Sequence, residues 1–449
     1  MRQAALNIPV PAEVCAVLQR LHSAGYQAYL VGGCLRDALL GETPTDWDVA
    51  TDALPTSVMR LFPGAKGVGA AFGTVVIPPC NMQVTTFRRD LTYEDGRHPV
   101  GVEFGNDVTV DLYRRDFTIN AMAWDINTGL LIDPTGGAND LQERLVRAVG
   151  DAEQRFSEDA LRLLRMVRFA VKYDMDIAEE TWRAAESAAS LINKLSRERV
   201  GVELMRILET ANVGRGLWIL HELGMLVLIL PELAGTERLR QGKSGAPTLL
   251  DHSIQAAACC QAASLVRLAA LLHDVGKMST RTVTTTGRVM FPKHGEHSAQ
   301  LAAQALHRLR LDRASIEYVQ TLIRHHMWSG SLQLATMRRW LARYGENWVG
   351  DLMKLWQADY WASGGSGQPP WLASVAENWQ RLITEEDTMT QSRLAVNGDH
   401  IMAYLEIEPG PIVGRLLTGL YDYVLEDPQR NTVSVLLTEA KRLFQQEKL

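Results

Sequence analysis

Residues 26–48 read Tyr26-Gln-Ala-Tyr-Leu-Val31-Gly32-Gly33-Cys34-Leu35-Arg36-Asp37-Ala-Leu-Leu40-Gly41-Glu-Thr-Pro44-Thr-Asp46-Trp47-Asp48. The apolar run Tyr26–Val31 is a short strand that ends at a glycine pair. Leu35–Leu40 is helical in pattern and is stopped by Gly41 and Pro44. Two glycines at a strand-to-helix turn allow a phosphate to approach the backbone, with helix N–H groups aimed at it, and Arg36 adds a guanidinium one turn in. On its own such a turn is more often a packing device. The paired aspartates a dozen residues later change that reading: on a strand over Trp47–Ala50, Asp46 and Asp48 stand at i and i+2 and face one spot, about 7 Å apart at Cα. Paired carboxylates favour a divalent cation, and Mg²⁺ suits one or two carboxylates together with substrate phosphates. Such a site activates an attacking hydroxyl and steadies a leaving pyrophosphate.

Working outward, strand-like runs recur at 73–77, 82–87, 100–104 and 122–125, so residues 1–148 mix α and β. From Asp151 to 235 the pattern is helical, with no convincing strand. A turn-rich junction occupies 236–250. A second helical region, about 249–361, is broken by a Thr-rich hairpin around Thr286-Gly287. Ser363-Gly-Gly-Ser-Gly-Gln-Pro-Pro370 is a linker, and a last helical unit runs over 371–449. The expected division is therefore 1–148, 149–245, 246–362 and 371–449, in the α+β class.

The chain has 449 residues, 46 Lys plus Arg against 52 Asp plus Glu, and 46% apolar residues, enough to bury real cores and to exclude disorder as its main state. The most apolar stretch, 217–230, is interrupted by His221 and Glu222, so no membrane span is expected. The stretch from Pro11 to Leu21 is interrupted by Glu13, Gln19 and Arg20 and does not read as a secretory segment. Cysteines 15, 34, 80, 259 and 260 form no CxxC pair and read as reduced thiols of a cytoplasmic protein. The net charge of −6 argues against a general nucleic-acid coat but leaves an RNA enzyme open, because phosphate contacts depend on local Lys and Arg placement.

Further along, Asp159, Arg162, Arg165 and Arg168 step by three beside an apolar stripe of Leu161, Leu164 and Val167, with Ser157 as the expected N-cap. Spacing alone favours a solvated face. The chemistry permits more: a carboxylate accepts from an exocyclic amino group while Arg donates to a ring nitrogen or carbonyl, which suits both cytosine and adenine.

These residues carry a resemblance. Leu30–Asp37, Leu39–Gly41 and Asp46-Trp-Asp48 resemble the head of the class II tRNA nucleotidyltransferase and poly(A) polymerase family, of the polymerase-β superfamily. Arg114-Arg115-Asp116-Phe-Thr-Ile-Asn120-Ala-Met-Ala123 is similar to its ribose motif, Asp133-Pro-Thr-Gly-Gly137 to its hinge, Glu158–Phe169 to its base-templating motif, and Arg197-Glu-Arg199–Leu204 to its neck-stabilising motif. The resemblance implies a nucleotidyltransferase head with a small mixed sheet, followed by all-α neck, HD and tail regions. It implies template-independent addition of CCA to the tRNA 3′ end from CTP and ATP, by a monomer or homodimer. Asp46 and Asp48 would hold Mg²⁺, and Gly33 and Arg36 the triphosphate. Arg115 and Asn120 would lie near the nucleotide, with Asp159 and Arg162 on the base. Arg165 and Arg168 are candidates for the triphosphate or for holding Asp159. The charged segment 86–99, expected as a mobile loop, resembles the one that full CCA addition needs. Alternatives are a poly(A) polymerase, a CC- or A-adding partial enzyme, or an HD phosphohydrolase with an RNA-binding head.

Seven histidines crowd 252–326 around Leu271-Leu-His273-Asp274-Val-Gly276-Lys277. His and carboxylate ligands suit a first-row transition metal whose bound water hydrolyses a phosphoester. The pattern resembles an HD domain. The matching metal set is His252, His273, Asp274 and Asp359, joined by His294 and one of the neighbours His325 and His326, with His325 the expected ligand. Arg338, Arg339, Arg343 and Trp340, together with the tail from Leu394 to Asn431, are candidate RNA contacts.

Overall fold

The computed structural model describes residues 8–78, 82–91, 101–241, 246–327, 332–384 and 394–447. Most of the expected loop at 86–99 lies outside them, as do residues 242–245 of the turn-rich junction. The chain forms two compact units. One runs to Pro231 and includes Arg308–Arg310; the other comprises Glu232–His307 and the chain from Leu311 onward.

The first unit is built on β1 (Ala28–Val31), β2 (Asp48–Thr51), β3 (Lys66–Gly69), β4 (Thr74–Ile77), β5 (Met82–Thr86), β6 (Arg88–Asp90), β7 (Val102–Phe104), β8 (Ala123–Trp124) and β9 (Leu131–Ile132). Seven of these form one mixed sheet in the order β3-β4-β5-β2-β1-β8-β9, with β6 and β7 paired separately. β3 is not evident in the sequence because Lys66-Gly67-Val68-Gly69 has no apolar alternation to mark a strand. The register positions the chemistry. Val31 pairs with Asp48 on one side and with Ala123 on the other. The glycine turn after Val31, the start of β2 and the backbone just before β8 therefore share one end of the sheet. Behind them Val31, Ala50, Phe87, Leu112, Ala121 and Ala123 form the core.

The rest of this unit is helical, with one correction: Asp176–Ile177 is a short strand that pairs in parallel with Leu145–Val146 inside a stretch expected to be wholly helical. The helix Leu161–Lys172 packs against Arg197–Leu208 and Val213–Glu222. Leu163, Leu164 and Val167 are fully buried, each contributing about 1.5–3 kcal/mol. Ser157 is not the N-cap of this helix. It lies inside a preceding helix, Ala152–Glu158, capped by Asp151, which accepts from the amides of Glu153 and Gln154. Asp159 sits in extended backbone between the two helices, off the stripe it was expected to join.

In the second unit, Thr248 and Asp251 form a capping box that starts the helix Leu249–Cys259. That helix packs against Ser264–Leu272 and Glu346–Ala362, and Arg313–His325 closes the group. The expected hairpin pairs Thr282–Val283 with Val289–Met290. Helices Gly398–Leu405, Pro411–Glu426 and Val433–Glu447 share a small core of Ile401, Leu416, Leu420, Val424 and Leu436.

Candidate active site

A cleft of about 840 Å³ opens in the first unit, and Gly32, Gly33, Asp46 and Asp48 stand on its wall. Gly32 has φ +79°, and a Cβ there would lie 2.8 Å from Arg115 Nη1. Only glycine meets both conditions without strain. Arg36 is buried and its guanidinium is held at three of its five N–H groups: Nε and Nη2 donate to Asp37 Oδ1 at 2.9 and 2.7 Å, and Nη1 donates to Asn120 Oδ1 at 2.5 Å. Arg115 donates to the Asn120 carbonyl at 3.3 Å and to Asp111 at 3.3 Å. Asp48 opens β2 and Asp46 lies just before it. Burial raises the Asp48 carboxyl, Arg115 works against this, and the neighbouring Asp46 raises it further. Mutual repulsion of two carboxylates is the sign expected where a cation is to be held.

The opposite wall belongs to the helix Leu161–Lys172 and its neighbours. Asp159 accepts from the Leu161 amide at 3.0 Å and from Arg199 at 2.8 Å. Arg162 donates to Glu158 at 2.7 Å and to the carbonyls of Arg155 and Arg114 at 2.9 and 3.3 Å. Neither Arg165 nor Arg168 holds Asp159. Arg165 pairs with Asp116 at 2.6 Å, and Arg168 lies 3.3 Å from Glu203. Burial pushes the Asp116 carboxyl up, but Arg165, Asn120 and Arg162 outweigh it and hold it well below the usual carboxylate range.

The second unit carries a separate centre. His252 Nε2 lies 3.0 Å from Asp359 and 3.4 Å from Asp274 Oδ2, and His273 Nε2 lies 3.2 Å from the same Oδ2. Across Asp274, its Oδ1 lies 3.2 Å from His294 Nε2 and 3.6 Å from His326 Nε2. His273, His294 and His326 donate Nδ1–H to the carbonyls of Ala270, Phe291 and Ile323 at 2.7, 2.9 and 2.7 Å. Each ring is thereby oriented with Nε2 inward, as a metal ligand requires. Asp274 Oδ1 and His294 Nε2, though 3.2 Å apart, are buried and form no aligned hydrogen bond with each other or with another described residue, which fits a metal shared through Asp274. Gly276 makes room for this: a Cβ there would sit 2.5 Å from the His294 carbonyl. His325 is not part of the centre. It packs among Trp340, Tyr344 and Trp348, with ring centroids 5.3–5.9 Å away. Consecutive helical residues point about 100° apart, so only one of the pair can face inward.

Three families match the chain: the poly A polymerase head domain over residues 28–147, a probable RNA and SrmB-binding site of polymerase A over 174–236, and the HD domain over 249–348. The CCA-adding enzyme of Geobacillus stearothermophilus is 44% identical over 228 residues, 50% of this chain; the matched span is 56% of that relative's length. The CCA-adding enzyme of Latilactobacillus sakei is 31% identical over 440 residues, 96% of this chain and 98% of that one. The chain belongs to the CCA-adding enzyme family. The crystal structure of the Bacillus stearothermophilus CCA-adding enzyme in complex with CTP aligns with a TM-score of 0.71 at 29% identity, over 97% of this chain and 98% of that one. The Thermotoga maritima CCA-adding enzyme complexed with tRNA shares the fold at 20% identity, with a TM-score of 0.55.

In this member of the CCA-adding family, Asp46, Asp48, Gly33, Arg36, Arg115, Asn120, Asp159, Arg162, Arg165 and Arg168 all line the one cleft. Sequence reasoning passed over Asp37, Tyr173 and Arg206, which line it too. For Arg199 a signal was present: it lies in the stretch Arg197-Glu-Arg199, and it holds Asp159 at 2.8 Å.

Proposed function

We propose that this chain builds and repairs the 3′-terminal CCA of tRNA from CTP and ATP without a nucleic-acid template. The observation that carries the reading is a single cleft combining paired aspartates, a glycine-arginine cradle and, on the facing wall, Asp159 with Arg162. The RNA 3′-hydroxyl attacks the α-phosphate, a new P–O bond forms, and pyrophosphate leaves. Asp46 and Asp48 suit Mg²⁺, a hard cation that takes oxygen ligands and, when bound, neutralises charge developing on the phosphate. Gly33 and Arg36 grip the triphosphate, Arg115 and Asn120 orient the nucleotide, and Asp159 with Arg162 reads the edge of cytosine or adenine. Arg165, tied to Asp116, keeps the ribose side of the cleft in place. Most of the rate then comes from positioning and electrostatic stabilisation.

The chain is read as a head over 1–148, a neck over 149–245, an HD region over 246–362 and a tRNA-binding tail over 371–449, acting in the cytoplasm. Among the described residues no helix is long and apolar enough to cross a membrane. The HD centre adds a metal-dependent phosphohydrolase activity; His252, His273, Asp274 and Asp359, with His294 and His326, would hold the ion. The deciding experiment gives purified protein a tRNA ending at the discriminator base with CTP alone, ATP alone, or both. Addition of CC, nothing, and CCA respectively supports the reading; a long A tail overturns it.

A further inference from the structure

We infer that Tyr173 is a positioning residue for nucleotide addition: through Asp37 it fixes the Arg36 guanidinium, and so couples the base-reading helix to the phosphate cradle. The inference rests on the triphosphate role proposed for Arg36. Tyr173 is the first residue past the helix Leu161–Lys172, only 5% exposed, on the wall of the cleft. Its hydroxyl donates to Asp37 Oδ1 at 2.9 Å, the same oxygen that accepts from Arg36. Its ring lies 4.5 Å from the Arg36 guanidinium carbon. Phe169, one turn earlier, lies 5.2 Å from the same guanidinium and stacks on Tyr173 at 6.2 Å.

The hydroxyl is what packing alone does not explain, since a phenylalanine would fill the same space. Arg36 and Asp37 are adjacent on a helix, where neighbours do not face each other. An aspartate that is to grip its own neighbour therefore needs a third group to turn it, and Tyr173 is that group. Burial, with help from Asp37, outweighs Arg36 and keeps the phenol above its ordinary range, so it remains a donor. Asn120 accepts from Nη1 at 2.5 Å, so these bonds use three of the five guanidinium N–H groups and leave the second N–H of each Nη to a phosphate. With Asp37 and Asn120 at its edges and aromatic rings beside it, Arg36 is pre-oriented, and the helix that carries Arg162 at one end supplies that orientation from the other.

The test compares Tyr173→Phe, Asp37→Asn and the double variant with the wild-type full chain. The readouts are KM and kcat for CTP and ATP on tRNA, and equilibrium binding of CTP and of CMP, which lacks the β- and γ-phosphates. Tyr173→Phe is expected to weaken CTP and ATP about tenfold and equally, the scale of one charge-assisted hydrogen bond. CMP binding, the choice between C and A, and the thermal midpoint stay as in wild type. The double variant costs no more than the worse single variant, because both act through one oxygen. Unchanged CTP affinity, equal weakening of CTP and CMP, or additive losses would each overturn the proposal. Failure of the wild type to add C and A would sink the CCA reading instead, while the CTP-against-CMP comparison still decides the role of Tyr173.

Discussion

Asp159 and Gly32 make the sharpest claims at the scale of single residues. Asp159 has one oxygen on the Leu161 amide and the other on Arg199, at 3.0 and 2.8 Å. A carboxylate held from behind in this way keeps acceptor capacity for an exocyclic amino group. Removing it leaves the amino group of C or A unpaired, at about 1–3 kcal/mol, or up to roughly a hundredfold in discrimination. Asp159→Ala is therefore expected to misincorporate UTP or GTP at both C and A positions with unchanged Mg²⁺ dependence. Wild-type selectivity at wild-type rate would return Asp159 to a structural role. Gly32→Ala places a Cβ 2.8 Å from Arg115 Nη1 at φ +79°. The backbone strain costs about 1–3 kcal/mol, and the arginine, being the flexible partner, moves. KM for both nucleotides is expected to rise at least about tenfold in a protein that still folds. An unchanged KM would remove Arg115 from the nucleotide.

Among the elements, the helix Arg313–His325 and the residue after it show how a one-residue choice decides a site. His326 turns inward to Asp274 at 3.6 Å, while His325 faces an aromatic group on the neighbouring helices. Burial depresses both imidazoles. For His325, Arg324 pushes the same way, and for His326 Asp274 opposes. His326→Ala is expected to lower the metal content of the purified protein by about one ion, or by tenfold in affinity, the scale of losing one ligand partner. His325→Ala retains the metal and instead loses stability, about 1–2 kcal/mol from the aromatic packing it breaks. Metal analysis and thermal melts on the two variants separate these outcomes; equal metal loss in both would refute the assignment.

For the molecule as a whole, the two centres lie in different compact units, one built on the mixed sheet with the neck helices and the other among helices after Glu232. Each has its own buried polar network, with no residue in common between the cleft wall and the His/Asp groups. The double variant His273→Ala, Asp274→Ala is accordingly expected to abolish metal-dependent phosphohydrolysis and to leave CCA addition within about twofold, since mutations with no shared partners act independently. Loss of nucleotide addition in a folded double variant would show that the centres are coupled.

The glycine pair, the Asp-x-Asp, the three-residue spacing of Arg162, Arg165 and Arg168 and the His-Asp dyad were legible in the sequence because each is local, set by a turn, a strand or one helix, whereas Asp159, expected on the same stripe, lies in extended backbone before it. The helical character of most of 151–235 was legible for the same reason. Tertiary structure alone decided which partners those residues meet. Arg165 and Arg168, equivalent by spacing, go to Asp116 and Glu203 because the head and a neighbouring helix present different carboxylates to successive turns. Arg199, forty positions away, reaches Asp159 through helix packing that no local pattern encodes. Asp37 joins Tyr173, 136 positions distant, only once the sheet end and the neck helix are folded together. Sequence periodicity fixes the direction of a side chain along its own element, whereas the group it touches depends on how the elements pack.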